Sequence, residues 1–163
     1  MNPTMEMTRL LFRPVGVTSG TLHIDGSDID ISKEPRPPRV LVVDDEPDLL
    51  ELRRVLLERF GYHVIVAASG RQALEIYRRT AVDAVILDYR MPGMNGGQTA
   101  REIRNLDPVI PIILSSASNT ASDVNTELFT ACVPKGSDPR CLLATLKAQL
   151  QHVCRDPKQV CQR

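Results

Sequence analysis

Two apolar runs in this chain end in acid. Val40-Leu41-Val42-Val43 leads into Asp44-Asp45-Glu46-Pro47, and Ala84-Val85-Ile86-Leu87 leads into Asp88. Runs of aliphatics with no polar partner suit strands covered on both faces, as in a parallel sheet. The pattern around them alternates. Strands are predicted over 39–43, 63–67, 84–87 and 112–115, the last opened by Pro111, with a short fifth over 131–133. Pro47 in a first turn, the stripe Leu49, Leu52, Val55, Leu56 and Phe60, and Gly61 as a stop predict helix one. Ser69 with Gln72 three positions on makes a capping box for helix two over 71–79. Helix three is predicted over 97–105, and a polar, β-branched helix four within 118–130. Asp138-Pro139 opens the last helix, with Leu142, Leu143, Leu146, Leu150 and Val153 as its stripe. Five strands alternating with five helices through short loops predict an α/β fold, a doubly wound parallel sheet with helices on both faces.

Outside this body the pattern breaks down. Residues 1–38 end in Pro35-Arg36-Pro37-Pro38, a stiff extended linker. Within them Thr21-Leu22-His23-Ile24 and Ile29-Asp30-Ile31 flank Asp25-Gly26-Ser27-Asp28, the pattern of a small hairpin. A lone hairpin is marginal in water, so this extension is expected to be weakly ordered. Residues 39–150 form the folded domain, and 151–163 read as a frayed tail. Twenty basic and twenty acidic residues cancel, so bulk charge favours neither nucleic acid nor an anionic membrane. The run Leu10-Leu11-Phe12 is too short for a signal-peptide core, and no stretch is long enough to cross a membrane. Cys132, Cys141, Cys154 and Cys161 are expected as reduced thiols of a cytoplasmic protein. Together with His152 they lack the spacing of a zinc site.

In a parallel sheet the working groups gather at the carboxyl ends of the strands. Three carboxylates delivered there repel one another unless a cation sits among them. A hard divalent ion with oxygen ligands is the natural guest, and phosphoryl transfer the natural chemistry. Separately, Asp44, Asp45 and Glu46 also suit a helix start, and Asp88 suits a turn before Met91-Pro92. Neither of those structural roles accounts for the whole set.

Four segments, in order, resemble the receiver domain of two-component response regulators over residues 39–150. They are Leu41-Val42-Val43-Asp44-Asp45-Glu46-Pro47, the stretch from Ile86-Leu87-Asp88 through Met94-Asn95-Gly96, Pro111-Ile112-Ile113-Leu114-Ser115-Ser116-Ala117, and Lys135 with Asp138-Pro139. The resemblance implies a flavodoxin-like strand order of 2-1-3-4-5. It implies Asp88 as the phosphoacceptor. Asp44, Asp45, Asp88 and the backbone carbonyl of Arg90 are implied as Mg²⁺ ligands. Lys135 is implied as the phosphoryl-pairing cation, and Ser116 as the hydroxyl that follows the phosphoryl group. Ser115 would point to the opposite face by strand alternation. The implied partners are a histidine kinase or a histidine phosphotransfer protein. Residues after 150 carry no helix-turn-helix pattern, so the expected output is binding to a downstream protein, with no DNA-binding domain, no membrane, and a monomer or weak dimer. The chain is expected to be a signalling protein rather than an enzyme.

The pattern also departs from that family. Gly136 stands where proline usually follows the lysine, and Cys132 where an aromatic usually lies on strand five. The segment between Ser116 and Lys135 is short. An alternative is therefore a degenerate receiver that binds proteins without phosphorylation. A haloacid-dehalogenase-like phosphatase would need an acid at position 90, which is Arg90. A nucleotide or flavin module would need a Gly/Ser/Thr-rich loop after strand one, where Asp44-Asp45-Glu46 would repel phosphate.

Overall fold

The apolar runs are the two innermost neighbours of a five-stranded sheet. The computed structural model describes residues 21–24, 27–30, 36–117 and 125–153, and two compact units divide after Arg36. In the first unit β1 (Thr21–Ile24) pairs antiparallel with β2 (Ser27–Asp30), Ile24 opposite Ser27. The second strand thus begins two residues before the 29–31 expected, because Ser27 and Asp28 join the pairing.

The second unit runs β3 (Arg39–Val43), α1 (Pro47–Arg59), β4 (His63–Ala67), α2 (Gly70–Arg79), β5 (Ala84–Asp88), α3 (Gly96–Leu106), β6 (Ile112–Ser116), β7 (Ala131–Pro134) and α4 (Pro139–Val153). The sheet order is β4-β3-β5-β6-β7 and every neighbouring pair is parallel, which is the 2-1-3-4-5 order of the body's strands. Alternation divides the core. Leu41, Val43, Val85, Leu87 and Ile112 pack with α2 and α3, while Val40, Val42, Ile86 and Ile113 pack with α1 and α4. Each fully buried Leu or Ile contributes roughly 1.5–3 kcal/mol, so the strands nearest the acids are the best anchored.

Three expectations need correction. The buried face of α1 is Leu50, Arg53 and Leu57, whereas Leu52, Val55 and Phe60 are exposed. Two stripes with helical spacing compete on this helix. The one that wins contains an arginine, so it reads as polar until that charge has a partner. The fourth helix is not found over 125–130, where a 3-10 turn (Thr126–Leu128) leads into β7; residues 118–124 lie outside those described. Four α-helices, not five, are therefore present among the described residues. At Ser69 the hydroxyl accepts from Gln72 N–H at 3.3 Å, but Gln72 reaches back to the amide of Ala68 rather than Ser69. The reciprocal capping box is at Asn95 and Gln98, at the head of α3. Of the expected tail over 151–163, residues 151–153 instead continue α4 to Val153, and 154–163 lie outside the described residues.

Candidate functional site

β3 and β5 are adjacent and in register, so Asp44 and Asp88 emerge side by side at the carboxyl edge. Asp44 N–H donates to Ala67 O at 3.1 Å, which pins the turn out of β3. Gly96 fixes the turn out of β5: its N–H donates to Tyr89 O at 2.9 Å, and a Cβ there would collide with the Asp88 carbonyl. The loop after Asp88 thus folds back against the Asp88 backbone, and only glycine fits that approach.

Carboxylate oxygens of Asp44, Asp45 and Asp88 lie within 4.8 Å of one another. Asp44 and Asp88 are buried and Asp45 is exposed. Burial raises the Asp88 carboxyl above its usual range; Lys135 opposes this and Asp44 adds to it. Lys135 Nζ sits 3.0 Å from Asp88 Oδ2, 3.1 Å from Asp44 Oδ2 and 3.3 Å from Glu46 Oε1. Burial alone would lower its pKa, but the bonds and charges of Asp88 and Asp44 raise it overall. Its backbone N–H donates to Ser116 O at 2.8 Å, which places the lysine at the end of β6. Gly136 follows with φ of +86°, a conformation closed to the proline usual in the family, so this turn is of another kind.

Ser116 closes β6, buried, with its hydroxyl donating to Ala117 O at 3.4 Å. Arg90 lies exposed in the loop two residues beyond Asp88. Cys132 is exposed on β7, so no side chain of aromatic size stands at that place. Helix capping explains part of the acid set. Asp44 Oδ1 accepts from the Glu46 amide at 3.1 Å, yet Glu46, the N-cap residue, makes no side-chain cap and turns to Lys135.

Sequence reasoning missed Arg53 altogether, gave Glu46 only a helix-start role, and set Ser115 on the opposite face, where it meets Arg53. Arg53 Nη1 donates to Asp44 Oδ2 at 3.1 Å, and its Nη2 donates to Ser115 Oγ at 2.6 Å. Desolvation lowers the Arg53 pKa, while Asp44, Asp88 and Glu46 oppose that fall. The available signal was its spacing, three residues after Leu50 and four before Leu57. Around the pocket, four carboxylates (Asp44, Asp45, Glu46, Asp88) face two cations (Arg53, Lys135), which leaves two negative charges. Hard oxygen donors with that residual charge fit a divalent ion such as Mg²⁺.

Known proteins share this arrangement of sequence and fold. A family model described as the response regulator receiver domain matches residues 40–147. The transcriptional regulatory protein ZraR of Escherichia coli (strain K12) is 38% identical over 116 residues, 69% of this chain but 26% of ZraR. The chain therefore spans well under half the length of that relative. Response regulator TrrA of Thermotoga maritima, solved in complex with Mg²⁺-BeF, is 35% identical with a TM-score of 0.66, covering 69% of this chain and 98% of that one. A chain from the complex of histidine kinase ThkA with TrrA is 37% identical, with a TM-score of 0.65 and the same coverage, 69% and 98%. Among the described residues no helix is long and apolar enough to cross a membrane. The family match runs from the second residue of β3 into α4, and the chain belongs to the response regulator receiver domain family.

Proposed function

We propose that this chain accepts a phosphoryl group on Asp88 from a histidine kinase or histidine phosphotransfer protein, in a Mg²⁺-dependent reaction in the cytoplasm. It reports its state by binding another protein. The observation that carries this reading is Lys135 Nζ, 3.0 Å from Asp88 Oδ2 at the edge of the three-carboxylate cluster. An Asp88 oxygen attacks phosphorus as the bond from phosphorus to the donor imidazole breaks, and the electron pair leaves on the imidazole nitrogen. The Lys135 ammonium moves from the carboxylate to a phosphoryl oxygen, a task suited to a point charge on a flexible stem. Ser116, at the end of β6, gives its hydroxyl to the same group. Asp44, Asp45, Asp88 and the Arg90 carbonyl would hold Mg²⁺, which neutralises charge on the phosphoryl oxygens when bound.

Support for the donor comes from TrrA, found in complex with the histidine kinase ThkA, and support for the metal from TrrA with Mg²⁺-BeF. On this reading residues 39–150 are the receiver, flanked by an extension and a tail. The protein is a signalling component, a monomer or weak dimer, that hydrolyses its own acyl phosphate and acts on no other substrate. Intact-mass measurement with acetyl phosphate or phosphoramidate tests it. Wild type should gain one phosphoryl group only with Mg²⁺, and Asp88→Asn should gain none. Equal labelling of the two would remove Asp88 as acceptor. No labelling of either would favour a receiver that binds partners without phosphorylation.

A further inference from the structure

Arg53 stands apart from the other parts of the pocket, because it is a buried cation held by two side-chain hydrogen bonds. Its side chain is 7% exposed and leaves the middle of the buried stripe of α1, between Leu50 and Leu57. Arginine stays charged at any physiological pH, so its burial demands a fixed anion. The guanidinium fork supplies two bonds at once, one to Asp44 Oδ2 and one to Ser115 Oγ on β6. The second bond locks the first: Ser115 shares the Ile113 face of β6, where α1 packs.

The pocket thus contains two cations of different kinds. Lys135 is 20% exposed, on a flexible stem, and reaches Asp44, Glu46 and Asp88; it can move to a new anion without leaving water. Arg53 is tied at both ends of its fork and has no comparable second position. Asp44 is already heavily used: Oδ2 accepts from Arg53 and lies 3.1 Å from Lys135 Nζ, and Oδ1 accepts from the Glu46 amide and, at 3.4 Å, from Lys135. A divalent ion arriving at Asp44 meets a carboxylate whose charge is partly cancelled and whose lone pairs are contested. Lys135 can yield its share. Arg53 cannot without abandoning Ser115.

We infer that Arg53 is a built-in cation of the acid pocket, a positioning residue that orients Asp44 and weakens its hold on Mg²⁺. The inference rests on the Mg²⁺ reading above. In the metal-free protein Arg53 relieves repulsion among the carboxylates, which otherwise falls to Lys135 alone. When the ion is present, the same charge opposes it. Occupancy then requires a higher Mg²⁺ concentration than an unopposed carboxylate set would need.

Calorimetric titration of the full chain with Mg²⁺ alone tests this, using wild type, Arg53→Met and Arg53→Lys. Arg53→Met removes the charge at similar volume and should tighten Mg²⁺ binding about tenfold, since a fixed like charge a few ångströms away opposes the ion even in a high-dielectric pocket. Its melting temperature should fall in EDTA and recover most of that fall in saturating Mg²⁺. Arg53→Lys keeps the charge and should stay within about threefold of wild type. A packing role alone would lower the melting temperature equally with and without Mg²⁺ and leave the dissociation constant unchanged. An unchanged constant in Arg53→Met, or a tenfold gain in Arg53→Lys as well, overturns the inference. If Arg53→Met fails to fold, the Arg53 side-chain Nε–H resonance of wild type decides: it should shift as Mg²⁺ is added, and an unmoved resonance overturns the proposal. Wild type that binds no Mg²⁺ would instead bring down the underlying reading of the site.

Discussion

The end of β5 and the end of β7 lie on the same edge of one sheet, yet they are built to opposite standards. β5 is buried at every position through Asp88, flanked by strands on both sides, and its exit is clamped by Gly96 against the Asp88 backbone. β7 is the outer strand, with one buried residue, Val133, and an exposed Cys132, and it leaves through Pro134, Lys135 and a glycine at positive φ. The proposed function accounts for the contrast. On that reading an acceptor carboxylate at Asp88 must hold its geometry to about half an ångström, whereas a cation at Lys135 that changes partners needs slack. Tight packing is concentrated around Asp88, and β7 is left loosely specified.

The largest difference between the two ends should come from adding a methyl group to each. In Gly96→Ala the new Cβ meets the Asp88 carbonyl and, at 2.8 Å, the Tyr89 Cα, all backbone that cannot swing aside. Destabilisation of about 1–3 kcal/mol is expected, with slower labelling because Asp88 itself is displaced. At Gly136 nothing lies within 4 Å of the position a Cβ would take, so Gly136→Ala should suffer only the strain of its φ of +86°. Denaturant melts and phosphoramidate labelling of both variants check this. Comparable loss of labelling rate in the two would erase the contrast.

That contrast also sorts what was legible beforehand. The paired apolar runs, the acids that end them, and Lys135 after the last strand are local patterns, and the structure brings Asp44, Asp45, Asp88 and Lys135 together. The fold order followed from resemblance rather than from periodicity. What the sequence hid was long-range. Arg53 is buried because of Asp44, nine residues away, and Ser115, sixty-two away, so no window of helical periodicity can rank it as core. The exposed Leu52, Val55 and Phe60 mislead for the same reason, belonging to the more apolar of two possible stripes. The expected fourth helix is tested only over 125–130, where a weak helical signal gives way to a 3-10 turn; 118–124 lie outside the described residues. Arg104 ties that turn down, donating to Leu128 O at 3.2 Å and Ile110 O at 2.5 Å, a contact no motif announces.

A smaller effect follows from the charge of Asp88. Burial holds the Asp88 pKa above the ordinary carboxylate value of 3.8, so the folded chain keeps this proton longer than the unfolded chain. Ionising Asp88 therefore costs stability, and the loss develops as pH rises from that ordinary value through the raised one. Above both values it is constant. Lys135 has the opposite sense: its raised pKa stabilises the fold at neutral pH, and that gain is lost only as pH rises above 10.5 through the folded value. In EDTA, Asp88→Asn should thus gain on wild type as pH rises from 3.8 through the raised value of Asp88, and the gap should then level off. A gap in melting temperature that is flat across this range would mean Lys135 already cancels the burial of Asp88.

The smallest effect is expected at Cys132. An exposed thiol on the edge strand has little to lose, so Cys132→Ser should change stability by no more than about 0.5 kcal/mol. Its consequence lies in signalling. A ligand shifts a two-state equilibrium only through contacts that differ between the states, and a large ring moving on β7 would be such a contact. Cysteine offers far less area, so the response to phosphorylation should stay near Ser116 and the segment that follows β6. β7 pairs with β6 from Ala131 to Pro134, and Lys135 N–H bonds to Ser116 O, so backbone bonds link it to that movement but no aromatic side chain amplifies it. Amide exchange with and without beryllofluoride should accordingly protect the end of β6 and leave Leu142–Leu150 of α4 nearly unchanged. Cys132→Tyr should extend the protected region along β7. Broad protection of β7 and α4 already in wild type would show that the edge strand transmits the state without an aromatic, and that its loose packing is no bar to a global switch.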